Sequence, residues 1–127
     1  IKRGAIATTF AHDSHNLIVC GTNDEDMLLA IDEINKIQGG YAITADGEVL
    51  SSIPLPIGGL MSDLDAKAVV DKMKDLHKAL GKIDTNLSFH LFITLSFLAL
   101  PAIPALRLTD QGLFNTKEFK FIPLNHK

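Results

Sequence analysis

Five polar residues whose side chains are common in catalysis and metal binding stand side by side at positions 12–16. They are His12, Asp13, Ser14, His15 and Asn16, bordered by the apolar runs AIATTFA and LIVCG. Imidazole transfers protons near neutral pH, a carboxylate can orient or ligate, and a hydroxyl can act as a nucleophile. The cluster therefore has three interpretations: a metal site, a set of catalytic groups, or a turn between two strands.

The spacing of the cluster argues against both a metal site and a Ser–His–Asp triad. His12 and His15 are three residues apart, which places them on one face of a helix but on opposite faces of a strand. A zinc or iron site needs three or four ligands, and Asp13 is the one clear further candidate nearby. Triad residues normally meet from separate elements, so their adjacency in sequence is no evidence for a triad. We expect no metal site in this chain.

A turn would account for Asp13, Ser14 and Asn16, because their short side chains bond readily to nearby backbone groups. A turn needs no histidine, however, and the presence of two favours contact with a ligand. A second and weaker candidate for ligand contact is the loop Met61-Ser62-Asp63, which follows Gly58-Gly59. A capped helix after a turn is the simpler explanation of that loop.

The elements around the cluster predict one α/β or α+β domain, with two main helices packed on a mixed β-sheet. The predicted elements are strands over 4–10 and 17–20, a helix capped by Thr22 and Glu25 that ends at Gly39-Gly40, a hairpin around Asp46-Gly47, a helix from Ser62 or Asp63 to Gly81, a polar linker over 82–88, and a last strand over 119–124. The apolar sequence predicts that the strand over 17–20 is buried on both faces. Cys20 within it is expected to be a buried, inert thiol.

Composition restricts the possible partners and the compartment. The 127 residues carry a net charge of −3, with scattered Lys and Arg, which gives no reason to expect nucleic acid or an anionic membrane as partner. One cysteine excludes an internal disulfide and favours the cytoplasm.

The apolar stretch 91–108 is interrupted by Pro101 and Pro104, so we expect it to be buried against another domain or subunit rather than in a bilayer. The chain begins without Met, as an excerpt of a longer protein would.

Three long blocks of the chain resemble the carboxy-terminal domain of bacterial adenine deaminases, which are metal-dependent amidohydrolases. The blocks are RGAIATTFAHDSHNLIVCGTNDEDM, PLPIGGLMSD and TLSFLALPAIPALRLTDQGL, and the resemblance extends from Arg3 to about Phe121. Departures are small: Cys20 stands where an aliphatic residue is more usual, and the polar linker before Phe92 is atypical.

The resemblance implies that residues 1–127 are one domain of a longer enzyme, with a catalytic barrel upstream that is absent here. The enzyme would be a hydrolase of purine metabolism that acts on a cyclic amidine C–N bond, converting adenine and water to hypoxanthine and ammonia. A divalent transition metal, manganese or iron, would belong to that barrel, and this chain would hold no cofactor. The chain alone is then expected to be inactive.

Two hypotheses for the role of the domain follow from the resemblance. In the first, the segment 12–16 reaches the open face of the barrel and completes or covers its active site. In the second, the domain is a structural or oligomerisation module and the polar cluster is only a turn. The apolar stretch 91–108 also predicts a homo-oligomer.

Overall fold

The computed structural model describes residues 1–13, 15–83 and 91–124, which form three helices and two β-sheets within these ranges. The elements in chain order are β1 (Ala5–Thr8), β2 (Ile18–Gly21), α1 (Asp24–Lys36), β3 (Gly40–Ala45), β4 (Glu48–Pro54), α2 (Ala66–Ile83), α3 (Leu91–Leu98), β5 (Leu106–Thr109), β6 (Gly112–Asn115) and β7 (Lys120–Ile122). This α+β architecture confirms the predicted fold class.

The main sheet has the strand order β2-β1-β3-β4, and all its pairings are antiparallel. The order of elements predicted a mixed sheet. That prediction is wrong, because the sheet is antiparallel throughout. The predicted hairpin at Asp46-Gly47 is confirmed, because β3 and β4 pair from Ala45 and Glu48 onward. Both turn residues have positive φ, 57° at Asp46 and 76° at Gly47, which the tight type I′ turn requires.

Helices cover both faces of the main sheet, and the alternation of side chains along β1 explains how. Ala5 and Ala7 face α1, where they pack with Ala30 and Ile34. Ile6 faces the other side, in a core cluster that includes residues of α2 and α3. The small alanines on one face allow α1 to lie close to the sheet, while larger aliphatic residues fill the opposite layer.

A second sheet of three antiparallel strands, β5-β6-β7, follows α3. The predicted last strand is confirmed as the shorter β7, but the hairpin of β5 and β6 was not predicted. Phe114 is nearly buried in this small sheet, whereas Phe119 is 82% exposed and Phe121 is 55% exposed. The apolar stretch 91–108 is divided between α3 and the start of the small sheet, and part of it remains exposed.

Several predicted boundaries of the helices are wrong. Asn23, not Thr22, caps α1, and its side chain accepts a hydrogen bond from the backbone N–H of Asp26. The second helix begins at Ala66 with Asp65 as the capping side chain, so neither Ser62 nor Asp63 is its cap. That helix also continues past Gly81 to Ile83. Residues 84–88 of the predicted linker lie outside the described ranges.

The burial predicted for β2 is also wrong. This strand lies at the edge of the main sheet, none of its residues is fully buried, and Cys20 is exposed. An edge strand is covered by neighbours on one side only, so an apolar sequence does not by itself place it in the core.

Candidate active-site loop

Residues 12–16, called here the polar loop, connect the ends of β1 and β2 at one end of the main sheet. Those strands pair from Ala5 with Gly21 to Thr8 with Ile18, so the chain leaves the sheet after Thr8 and re-enters it at Ile18. The described residues of the polar loop are all exposed, and Ser14 lies outside the described ranges. The structure thus presents both predicted histidines at the surface.

Aromatic rings hold the two imidazoles from different directions. The ring of His12 lies 4.9 Å from the ring of Phe97 in α3, centroid to centroid, and tilted by 36°. The ring of His15 lies 6.0 Å from that of Phe10, which in turn lies 6.3 Å from that of Tyr41. Such contacts limit the orientations that each imidazole can adopt, although both residues remain exposed.

One hydrogen bond crosses the polar loop and defines the chemistry of His15. The backbone N–H of Ala11 donates to Nδ1 of His15 at 3.3 Å. Because Nδ1 accepts this bond, the neutral ring carries its proton on Nε2. Nε2 of the neutral ring is therefore a hydrogen-bond donor, on a residue that is exposed.

The acidic and amide side chains of the polar loop have different surroundings. Asp13 makes no hydrogen bond or ion pair with either imidazole among the described residues, so an orienting role for Asp13 stays a prediction. Asn16 borders a cavity of about 240 Å³ between β2 and the small sheet, lined also by Leu17, Ala99 and Leu108. The end of the polar loop therefore borders this cavity.

The weaker candidates, Met61, Ser62 and Asp63, begin at the last residue of a glycine turn, which lies at the same end of the sheet as the polar loop. Residues 57–61, called here the glycine turn, close through backbone hydrogen bonds between Ile57 and Met61. Met61 is 60% exposed and Asp63 is exposed, while the Ser62 hydroxyl accepts a hydrogen bond from the N–H of Leu64. Whether these residues touch a ligand stays a prediction.

Thr9 joins the glycine turn to the start of the polar loop, and its sequence position gave no hint of this. Its hydroxyl donates to the carbonyl oxygen of Gly59 at 2.7 Å and accepts from the N–H of Gly40 at 2.8 Å. The Thr9 N–H also donates to the carbonyl oxygen of Gly40 at 3.1 Å. The alternation of β1 predicted a strand here, but a threonine in a strand carries no signal for a bond to a segment 50 residues away.

A second polar cluster, at the opposite end of the sheet, was also missed. The carboxylate of Asp26, which is 3% exposed, accepts hydrogen bonds from the side chain of Asn23 and from the backbone N–H groups of Asp46 and Gly47. These bonds, that of Asn23 first, hold the pKa of Asp26 below its ordinary value against the opposing effect of burial. The sequence indicated only a favourable charge at a helix N-terminus.

Two further kinds of site, for a metal ion and for a membrane, concern residues 1–13, 15–83 and 91–124. Within these ranges no group of three or more His, Cys, Asp or Glu side chains is arranged to hold a metal ion. No helix in the described part of the chain has the length and apolar content needed to cross a membrane.

Comparison with known proteins confirms the resemblance over nearly the whole chain. The profile of the family described as "Adenine deaminase C-terminal domain" matches residues 1–120. Two proteins named adenine deaminase, from Lysinibacillus sphaericus and Geobacillus kaustophilus, are 55% and 54% identical over 96% and 97% of this chain. The adenine deaminase of Bacillus subtilis is 50% identical over 97% of it. In each case the chain spans about a fifth (21%) of the relative's length.

Proposed function

Because the chain belongs to the adenine deaminase C-terminal domain family, we propose that it acts as the C-terminal domain of an enzyme that hydrolyses adenine to hypoxanthine and ammonia. The match over 1–120 carries this proposal, together with the names of the relatives. In the proposed enzyme residues 1–127 follow a catalytic barrel, and the partners of the domain are that barrel, adenine as substrate, and further copies of the enzyme. The location would be cytoplasmic, in keeping with a single cysteine.

We further propose that the polar loop faces the active site of the barrel. In the reaction, the oxygen of water adds to C6 of adenine, and the amino group leaves as ammonia after taking up a proton. His12 and His15 are suited to donate a hydrogen bond or a proton to the purine or to the departing nitrogen. The exposure of both rings and the Nε2 proton of neutral His15 support this role.

A metal ion, manganese or iron, would be bound by the barrel in this proposal and would lower the pKa of water. The described residues of this chain do not provide a set of three ligands, so we assign none of them to the metal. The contribution of the chain would be to position adenine and to transfer protons.

Kinetic measurements on the full-length enzyme test the role of the polar loop. His12→Ala, His15→Ala and Asp13→Ala should each lower kcat for adenine by about tenfold or more, the loss of a proton-transfer or positioning group. Bound metal and thermal stability should hardly change. Cys20→Ala, exposed on the neighbouring edge strand, serves as the control. Normal kcat in all three variants would show that the polar loop is only a turn.

A second candidate function, oligomerisation, has one observation in its favour. The small sheet exposes Phe119 and Phe121, and Leu124 beside it is 70% exposed. Exposed apolar patches of this kind often mark interfaces between protein subunits. If the sheet is an interface, Phe119→Ser should weaken self-association of the full-length enzyme in sedimentation velocity, while Leu28→Ser, another exposed apolar residue on α1, should not.

A further inference from the structure

The two segments singled out for ligand contact, the polar loop and the residues around Met61, are separated by about 45 positions of sequence but adjoin the same end of the main sheet. Their relative position depends on the contact between the end of β1 and the glycine turn. Thr9, the residue after β1, provides that contact through the hydrogen bond from its hydroxyl to the Gly59 carbonyl.

The packing around this hydrogen bond leaves little room for adjustment. A Cβ on Gly59 would lie 3.2 Å from the Thr9 hydroxyl oxygen, and a Cβ on Gly39 would lie 2.5 Å from the Cα of Gly59. Both glycines have positive φ, 74° and 103°. Three segments, the end of β1, the start of β3 and the glycine turn, therefore meet at Thr9 with their backbones in close contact.

Hydrogen bonds on each side of Thr9 extend this contact toward the candidate residues. On one side the Thr8 hydroxyl accepts from the Phe10 N–H at 3.0 Å, and the Ala11 N–H then reaches the His15 ring. On the other side the Met61 and Leu60 N–H groups donate to the Ile57 carbonyl at 3.2 Å. These separate hydrogen bonds fall on residues adjacent along the backbone to one another, so the backbone links the ordered segments on the two sides of Thr9.

We infer that Thr9 is a positioning residue that fixes the polar loop and the glycine turn as one surface. Its hydroxyl is the part that matters, because it both donates and accepts, and no apolar side chain of the same shape can do so. The consequence for catalysis rests on the proposed function; the mechanical connection does not. Under the proposed function, Thr9 acts through the histidines and need not touch adenine.

Hydrogen exchange of the full-length enzyme, read by mass spectrometry, tests the mechanical connection. Thr9→Val removes the hydroxyl while keeping the shape, and Thr9→Ser keeps the hydroxyl. With Val, the Gly40 amide and the peptides covering 10–16 and 57–62 should exchange about fivefold faster, the opening expected from a lost hydrogen bond. Ser should restore slow exchange in all of them.

Thr22→Val is the matched control, because the Thr22 hydroxyl also donates to a glycine carbonyl, that of Gly4, but at the opposite end of the sheet. It should leave exchange in 10–16 and 57–62 unchanged. Unchanged exchange in Thr9→Val, or faster exchange in only one of the two segments, would overturn the inference. So would failure of Thr9→Ser to restore slow exchange.

Kinetics of the same variants separate this inference from the proposed function. Thr9→Val should lower kcat about tenfold with a smaller change in KM, Ser should recover kcat, and in a His15→Ala background the Val substitution should add little. If Thr9→Val lowers kcat fully in the His15→Ala background as well, Thr9 does not act through the loop and the inference is wrong. If exchange responds as expected but kcat is normal in the Val and histidine variants, the connection stands and the proposed function fails.

Discussion

The polar side chains at the two ends of the main sheet differ in burial and in hydrogen bonding. At the end formed by the β3–β4 turn, the Asp26 carboxylate is buried and accepts three hydrogen bonds. At the other end the polar loop exposes His12, Asp13, His15 and Asn16, and the backbone N–H of Ala11 donates to the His15 ring. A buried carboxylate whose hydrogen bonds are satisfied stabilises the fold, whereas exposed polar groups are available to a partner or substrate.

The two clusters differ in the elements that they connect. Asp26 sits in the first turn of α1, and its bonds fasten that helix to the tip of the β3–β4 hairpin. The Thr44 hydroxyl adds a bond to the Asp26 carbonyl oxygen at 2.7 Å. The polar loop connects β1 to β2 and contacts α3 through the His12 and Phe97 rings, and a short connection of that kind can be closed by many sequences. We propose that its histidines serve the reaction rather than the closure of the turn.

The largest expected effect is at the structural end. Asp26→Ala removes the acceptor for two backbone N–H groups and the Asn23 side chain, and it leaves those donors without a protein partner at a largely buried position. We expect the free energy of unfolding to fall by about 3 kcal/mol, since hydrogen bonds to charged groups contribute about 1.5–3 kcal/mol each and water compensates in part. Urea unfolding of the chain measures it. A loss under about 1 kcal/mol would remove the contrast between the two ends.

A smaller effect should appear as a dependence of stability on pH. The pKa of Asp26 is lower in the folded chain than its ordinary value of 3.8. A carboxyl with a depressed folded pKa stabilises the fold fully above the unfolded pKa and loses this contribution as pH falls through the folded pKa. The difference in unfolding free energy between the native chain and Asp26→Asn should therefore be constant above about pH 5 and shrink below pH 3.8.

Asp24→Asn provides the control for that measurement, because Asp24 is exposed in the same helical turn. The comparison separates the loss of one acidic charge in the first turn of α1 from the loss of the carboxylate that accepts three hydrogen bonds. A difference between native and Asp26→Asn that stays constant down to pH 2 would mean that the carboxylate gains nothing from its hydrogen bonds.

The sequence predicted those features that depend on residues close together along the chain. The Asp46-Gly47 hairpin, both main helices and the strands flanking the polar loop follow from turn chemistry and periodicity. It could not show which of Thr22 and Asn23 caps α1, since both can accept the same hydrogen bond and tertiary contacts decide. In the structure the Thr22 hydroxyl donates to Gly4 and Asn23 takes the cap.

Features that depend on distant segments were beyond the sequence. The burial of Asp26 follows from its meeting the Asp46-Gly47 turn, 20 residues away. The role of Thr9 follows from the approach of Gly59. For Cys20 the local apolar pattern was misleading, because exposure depends on the strand's place at the sheet edge. Of the candidate site, residue types and loop were predictable, but the aromatic supports Phe10 and Phe97 were not.

The smallest expected effect is the one most telling for the polar loop. His12→Ala, Asp13→Ala and Asn16→Ala should each change the free energy of unfolding by less than about 0.5 kcal/mol, because these side chains are exposed and bury little surface. His15→Ala should cost slightly more, as it also removes the acceptor of the Ala11 N–H, although water can reach that group. Urea unfolding under the conditions used for Asp26→Ala gives the direct comparison. Losses near 3 kcal/mol at several of these positions would mean that the polar loop is a structural cluster like that of Asp26. Near-zero losses would leave the two histidines without a structural reason to be there, which is what a loop kept for chemistry requires.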